Sequence, residues 1–219
     1  MNHSRTNTRT NEALIDLEGI PETVPDGAAL CIAKPAPLTE YALPLHITNQ
    51  YADGEDCRII ITSSITAEET IRQEQQVVAT ADRRLGIIDT TADEHLEALY
   101  QENPIISIPR SGDLTQVTLA LWDLEESFSK TYPKTHVILR SLTPILNDSS
   151  IEGVRNVLET VIEHQRSRSC LTVFSVEYTE HSEPTMAALE ILVDGVVWVE
   201  QTANDEHQLD YHRTRNIDW

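Results

Sequence analysis

The apolar positions of the chain alternate between short unbroken runs and stretches of helical spacing. Thr135–Leu139 (THVIL) and Cys170–Val176 (CLTVFSV) are almost wholly apolar and of strand length. Between them, Ile151–Gln165 carries Ile151, Val154, Val157, Leu158, Val161 and Ile162 at the spacing of one helix face. A strand apolar on both faces, a helix and a second such strand form a βαβ unit. Such a unit implies a parallel sheet covered by helices.

The same pattern extends in both directions. Ala28–Ala33, Arg58–Thr62, Leu85–Asp89 and Ile105–Ile108 read as strands, with Val196–Glu200 and a more polar His207–Arg215 as a closing hairpin after the Asp194-Gly195 turn. Leu14–Ile20 reads as a short helix or edge element. Helices are predicted from Thr39 to about Tyr51, broken or kinked at Pro44, and from an N-cap at Thr66, with Glu69 at the capping-box position, to about Ala81. The apolar face of the latter is Ala67, Ile71, Val77, Val78 and Ala81. Further helices are predicted over Glu94–Gln101, from Asp113 to about Thr131 and from Pro184 to about Leu192. The helix predicted from Asp113 carries Leu114, Val117, Leu121, Leu124 and Phe128 on one stripe. That stripe has heptad-like spacing, but packing on a sheet needs the same residues and is the favoured reading over a dimer seam. Residues 1–12 are polar and expected to be a disordered extension, leaving 13–219 as one α/β domain: three layers, a mainly parallel central sheet with helices on both faces, and an antiparallel C-terminal edge.

Charge narrows the functional classes. The 219 residues carry 36 acidic and 16 basic side chains, a formal net charge of −20, and the lysines are Lys34, Lys130 and Lys134. A field of that sign repels phosphate, so neither nucleic acid nor an anionic membrane is an expected partner. The composition fits a protein adapted to a salt-rich cytoplasm, where a Debye length of roughly 3 Å at molar salt screens self-repulsion. The alternative is steering toward a basic protein partner. Cys31, Cys57 and Cys170 are scattered and odd in number, the pattern of a reducing compartment, with Cys31 and Cys170 on core strands. There is no 18-residue apolar run and no apolar signal region near the N-terminus, so a cytoplasmic protein is expected.

Ligands of parallel sheets sit beyond the carboxyl ends of the strands, which makes Arg140 and Ser141 markers of a candidate site. Yet no G-x-S-x-G, no H-E-x-x-H and no clustered Cys/His ligand set is present. Glu177, Glu180 and His181, and also His207, Asp210 and His212, lie close enough in sequence to be imagined as metal ligands. Eight histidines in a chain of this length produce such groupings by chance, and no metal is expected. Trp122 and Trp198 read as core or edge packing, and Trp219 as a chain-end anchor or a free tail.

Five stretches together carry a resemblance: D-G-A-A-L-C-I-A, R-I-I-I-T-S-S-I-T-A-E-E-T, L-G-I-I-D, H-V-I-L-R-S-L-T-P-I-L and L-V-D-G-V-V-W-V-E. In this order, from about Pro25 to Arg215, they resemble the core of the RecA-superfamily ATPases, most nearly the KaiC-type proteins, in a degenerate form similar to members of that group in salt-loving archaea. The resemblance implies a RecA-like sandwich, side-by-side assembly of copies, and three chemical requirements.

The first is a glycine-rich phosphate loop with a lysine. The corresponding turn reads Ala33-Lys34-Pro35-Ala36-Pro37-Leu38-Thr39, with no glycine between Gly27 and Gly54. Proline lacks the amide hydrogen a phosphate cradle needs, and Lys34 reads as a solvated turn residue, with an anion contact as the alternative. The second is a metal-holding acid at the end of the fourth core strand, where Arg140 stands; a guanidinium repels a cation. An ion pair or hydrogen bonds at the strand end is its expected role, with direct binding of an anionic ligand as the alternative. The third is a water-activating glutamate after the second strand, where Ser63-Ser64 stand instead, with Glu68 and Glu69 favourable at a helix start. Asp89 is a further candidate, with a turn-forming role favoured.

The expectation is therefore no cofactor, no catalysis and a regulatory or scaffolding module that works through protein partners, with a homo-oligomer as an implication of the resemblance. The vestigial cleft is Lys34, Ser63, Ser64, Asp89, Arg140 and Ser141. The alternative is a nucleotide- or anion-binding protein, or weak ATPase, with an altered site.

Overall fold

The computed structural model describes residues 17–36, 42–77, 85–92, 96–98, 103–201 and 207–215. The expected N-terminal extension over 1–12, the helix start at Thr39, Val78, Ala81 and Trp219 lie outside the described residues.

The strands are β1 (Ala29–Lys34), β2 (Cys57–Thr62), β3 (Leu85–Asp89), β4 (Leu96–Ala98), β5 (Ile105–Ser107), β6 (Thr135–Leu139), β7 (Thr172–Glu177), β8 (Gly195–Gln201) and β9 (His207–Arg213). They form one sheet in the order β4-β5-β3-β2-β6-β7-β1-β8-β9. From β5 to β8 every neighbouring pair is parallel, and the two edges, β4 on β5 and β9 on β8, are antiparallel. The antiparallel C-terminal edge, β9 on β8, is the expected hairpin. The antiparallel β4 edge was not expected.

The helices are α1 (Leu43–Tyr51), α2 (Ala67–Val77), α3 (Leu114–Ser129), α4 (Thr143–Asp148), α5 (Ile151–Ser167) and α6 (Glu183–Glu190). They cover the two faces of the sheet. Ala29, Cys31 and Ala33 of β1, with Cys57, Ile59 and Ile61 of β2, pack under α3, α5 and α6. Leu30 and Ile32 of β1 pack instead with Leu43 and Ile47 of α1, and Ile60 and Ile138 with Leu45 of α1 and Ala67 of α2. The period of two along each strand thus serves both layers, which is why these strands read as unbroken apolar runs. The chain is a three-layer α/β fold.

Local chemistry explains most boundaries. Asp113 accepts from the Gln116 amide and starts α3, and Ser150 accepts from Gly153 and starts α5. The Glu69 amide donates to Thr66 Oγ1 at 3.3 Å ahead of α2. Pro44 lies in the first turn of α1, where its missing amide hydrogen costs nothing, so it opens the helix rather than kinking it. The α3 stripe of Val117, Leu121, Leu124 and Phe128 is buried against the sheet. Gly86 permits that approach, because a Cβ there would lie 2.9 Å from the Phe128 ring. Glu125 of α3 is also buried, held by His164 Nε2 at 2.8 Å and by Gln165 from α5. Trp122 packs at a tilt against the His164 ring, and Trp198 packs edge-on with Tyr178.

Two further expectations are corrected. The predicted helix over Glu94–Gln101 is a strand at its described positions, 96–98, pairing with β5. Lys34 ends β1 at 3% exposure and is not a solvated turn residue. Of the short helix or edge element expected over Leu14–Ile20, residues 14–16 lie outside the described residues, and 17–20 hold the turn at Gly19.

Candidate functional site

The candidate site lies at the carboxyl ends of β1, β2, β3, β6 and β7. The order of strands turns round between the parallel neighbours β2 and β6: the connection after β2 leads outward to β3, and that after β6 leads the other way to β7. Such a switch point is where a parallel sheet opens a crevice for ligands. Here it is bridged, because Ser63 Oγ at the end of β2 donates to the Ser141 carbonyl beyond β6 at 2.5 Å. Ser64, next in sequence, is exposed.

Arg140 follows β6 directly and is wholly buried on the α1/α2 face, where its Nη2 donates to Gln73 Oε1 of α2 at 2.6 Å. Its carbonyl accepts from Ser175 Oγ. One residue further along α2, Glu74 Oε1 accepts from Arg58 Nη1 of β2 at 2.5 Å, so two guanidiniums from neighbouring strands fasten the same turn of α2 to the sheet.

Asp89, the last residue of β3, has both carboxylate oxygens engaged. Oδ2 accepts from the Ala67 amide at 2.7 Å; Oδ1 accepts from the Thr91 amide at 2.8 Å and the Thr91 hydroxyl at 2.7 Å. It therefore forms the turn after β3 and also caps α2, occupying the helix start where an anion would otherwise be attracted.

The densest network surrounds Lys34. In the register of β1 and β7, Lys34 lies beside Glu177. Its Nζ is 3.1 Å from Glu177 Oε1, with the two side chains 4% and 14% exposed. Ser141 Oγ donates to Glu177 Oε2 at 2.9 Å. Thr143 Oγ1 accepts from the Glu177 amide at 3.0 Å and lies 3.0 Å from His181 Nε2. Burial acts to raise the Glu177 carboxyl, but the Thr143 hydroxyl, the Lys34 ammonium and the Ser141 hydroxyl together outweigh it and hold the group below its usual range. Burial lowers the His181 imidazole, against the opposing pull of Glu177 and Glu180. The loop after β1 is tied to the same region, as the Ala36 amide donates to Thr179 Oγ1 at 2.9 Å.

The sheet thus gathers Lys34, Ser63, Arg140 and Ser141 at one edge of its central strands, with Asp89 one strand further out. Sequence reasoning missed Glu177 as the partner of Lys34 and Gln73 as that of Arg140. The only signal was the position of Glu177 at the end of an apolar run; its adjacency to β1 depends on strand order. Of the other groupings, His212 and Asp210 pair on exposed β9, and among the described residues no three His, Cys, Asp or Glu side chains converge as a metal-holding group. Cys31, Cys57 and Cys170 are buried free thiols, and burial pushes the Cys57 thiol up to about 12, away from reactivity. Among the described residues no helix is long and apolar enough to cross a membrane.

No curated protein matches the chain. One family model does, over residues 46–199, a span that runs from α1 to β8 and includes Ser63, Asp89, Arg140, Ser141 and Glu177 while leaving out Lys34. That span is well over half of the sequence, and the chain belongs to this family of unknown function, DUF7504.

Proposed function

We propose that this protein is a RecA-like domain that no longer binds or hydrolyses nucleotide and serves inside the cell, in the cytoplasm, as a regulatory or scaffolding module acting on protein partners. One observation carries the reading: the polar groups gathered at the carboxyl ends of the central strands are engaged with one another. Lys34 is bound to Glu177, Arg140 to Gln73, both oxygens of Asp89 to Ala67 and Thr91, and Ser63 to the Ser141 carbonyl. A phosphate-binding cleft needs donors directed at solvent, and a metal site needs carboxylate oxygens with lone pairs to give. Pro35, directly after β1, has no amide hydrogen to offer a phosphate.

The three-layer architecture with an antiparallel C-terminal edge agrees with what the resemblance to KaiC-type ATPases implies, and the charge of −20 favours protein partners over nucleic acid. Steady-state ATP turnover in molar potassium chloride tests the reading. It predicts no phosphate release above that of buffer. Specific turnover that is abolished by Ser63→Ala or Lys34→Met overturns it.

A further inference from the structure

Around Glu177 the chain has built the surroundings of a bound carboxylate. One oxygen faces an ammonium at 3.1 Å and the other accepts a serine hydroxyl at 2.9 Å, while the Thr143 hydroxyl oxygen beside them accepts the Glu177 amide at 3.0 Å. The two donors come from the end of β1 and the segment after β6, and Thr143 stands at the start of α4. None of them lies on the strand that carries the carboxylate. Ser141 is fixed by its own carbonyl, which accepts from Ser63, and Thr143 by the Glu177 amide and His181. Lys34 and Ser141 are almost fully buried, and the Glu177 side chain is the more exposed member of the ion pair. Two fixed donors, one on each oxygen, thus converge on one carboxylate at the carboxyl edge of a parallel sheet, the arrangement of a carboxylate receptor with Glu177 in it.

We propose that Lys34 and Ser141, flanked by Thr143, form a carboxylate-binding site that Glu177 fills in cis, so that an external carboxylate gains the site only by displacing Glu177. A tethered group competes at an effective concentration in the millimolar range or above, which keeps weak free carboxylates out of the intact protein. Displacement has a route outward. Glu177 is followed by Tyr178, which packs on Trp198, and by Thr179, which holds the loop after β1 through the Ala36 amide. Exchange of the carboxylate therefore moves the segment that joins β1, β7 and β8. The inference does not depend on the functional reading above, since no nucleotide enters it.

Glu177→Ala removes a side-chain portion the size of acetate and leaves the donors in place. Acetate, formate and inorganic phosphate are titrated against this variant, with chloride at equal ionic strength as reference, and the thermal midpoint is read. Acetate is expected to raise the midpoint saturably, by about 3–6 °C at ten times its dissociation constant. It is expected to leave the parent, Glu177→Gln, whose amide refills the site, and Glu177→Ala/Lys34→Met unchanged. If Glu177→Ala does not fold alone, its refolding yield with and without acetate becomes the readout, with the same expectation. An acetate effect no larger than that of chloride, or an equal effect in the double variant, overturns the proposal. Stabilisation by phosphate alone overturns the assignment to carboxylates.

Discussion

The carboxylate of Asp89 accepts the backbone N–H of Ala67 at 2.7 Å, so the end of β3 caps the start of α2 across the sheet edge. The same side chain closes the turn to Thr91. Removing it leaves the buried Ala67 amide without this acceptor. Asp89→Ala is therefore expected to cost about 1–3 kcal/mol in unfolding free energy, and Asp89→Asn less, because the amide oxygen still accepts. Denaturant unfolding in concentrated potassium chloride measures both; an unchanged midpoint for Asp89→Ala contradicts the capping role.

A second prediction concerns the fastening of α2. Arg58 and Glu74 are both buried and in direct contact, and breaking such a pair from one side deprives the buried guanidinium of this carboxylate. Glu74→Ala is expected to lose about 3–5 kcal/mol, whereas Arg58→Met with Glu74→Leu recovers most of that loss, since the pair's desolvation cost disappears with its attraction. A double variant no more stable than Glu74→Ala speaks against this account.

The β3 and β6 boundaries were legible to the residue, because each is an apolar run with a clear stop. The strands β1, β2 and β7 differ from their predicted bounds only at the ends, and α5 runs slightly past its predicted end. Local rules sufficed there. They failed at Leu96–Ala98, where a three-residue edge strand takes its conformation from pairing with β5 and not from any periodicity of its own. They also missed α4, whose six residues are too few for a helical period to show. At the candidate site the positions of Lys34, Ser63, Asp89, Arg140 and Ser141 at or just beyond strand ends were readable. Their partners were not: the Lys34–Glu177 pair spans elements that touch only because β1 inserts between β7 and β8.

His136 supplies a pH dependence. Its Nδ1 accepts the Leu171 amide at 2.9 Å and its Nε2 faces Asp56 Oδ2 at 2.9 Å, which fits the neutral ring with its proton on Nε2. Burial lowers its pKa below the ordinary 6.5, with Arg58 and Lys134 acting in the same direction and Asp56 opposing. The unfolded chain then binds a proton before the folded one does. The stabilisation from neutral His136 is complete above that ordinary value and is lost as pH falls through it toward the lowered one. Stability should drop by up to about 1.4 kcal/mol per pH unit over this window, and His136→Gln should flatten that slope. Identical slopes in parent and variant between about pH 6.5 and 5 rule this out.

The central claim is that the cleft at the carboxyl ends of the strands is closed by its own side chains and no longer takes nucleotide. Isothermal calorimetry of Mg-ATP and Mg-ADP against the folded protein in concentrated potassium chloride tests it most directly, with circular dichroism confirming the fold and Arg140→Ala as the comparison. The account predicts no saturable heat for either nucleotide. Saturable binding by the parent that weakens in a still-folded Arg140→Ala contradicts it.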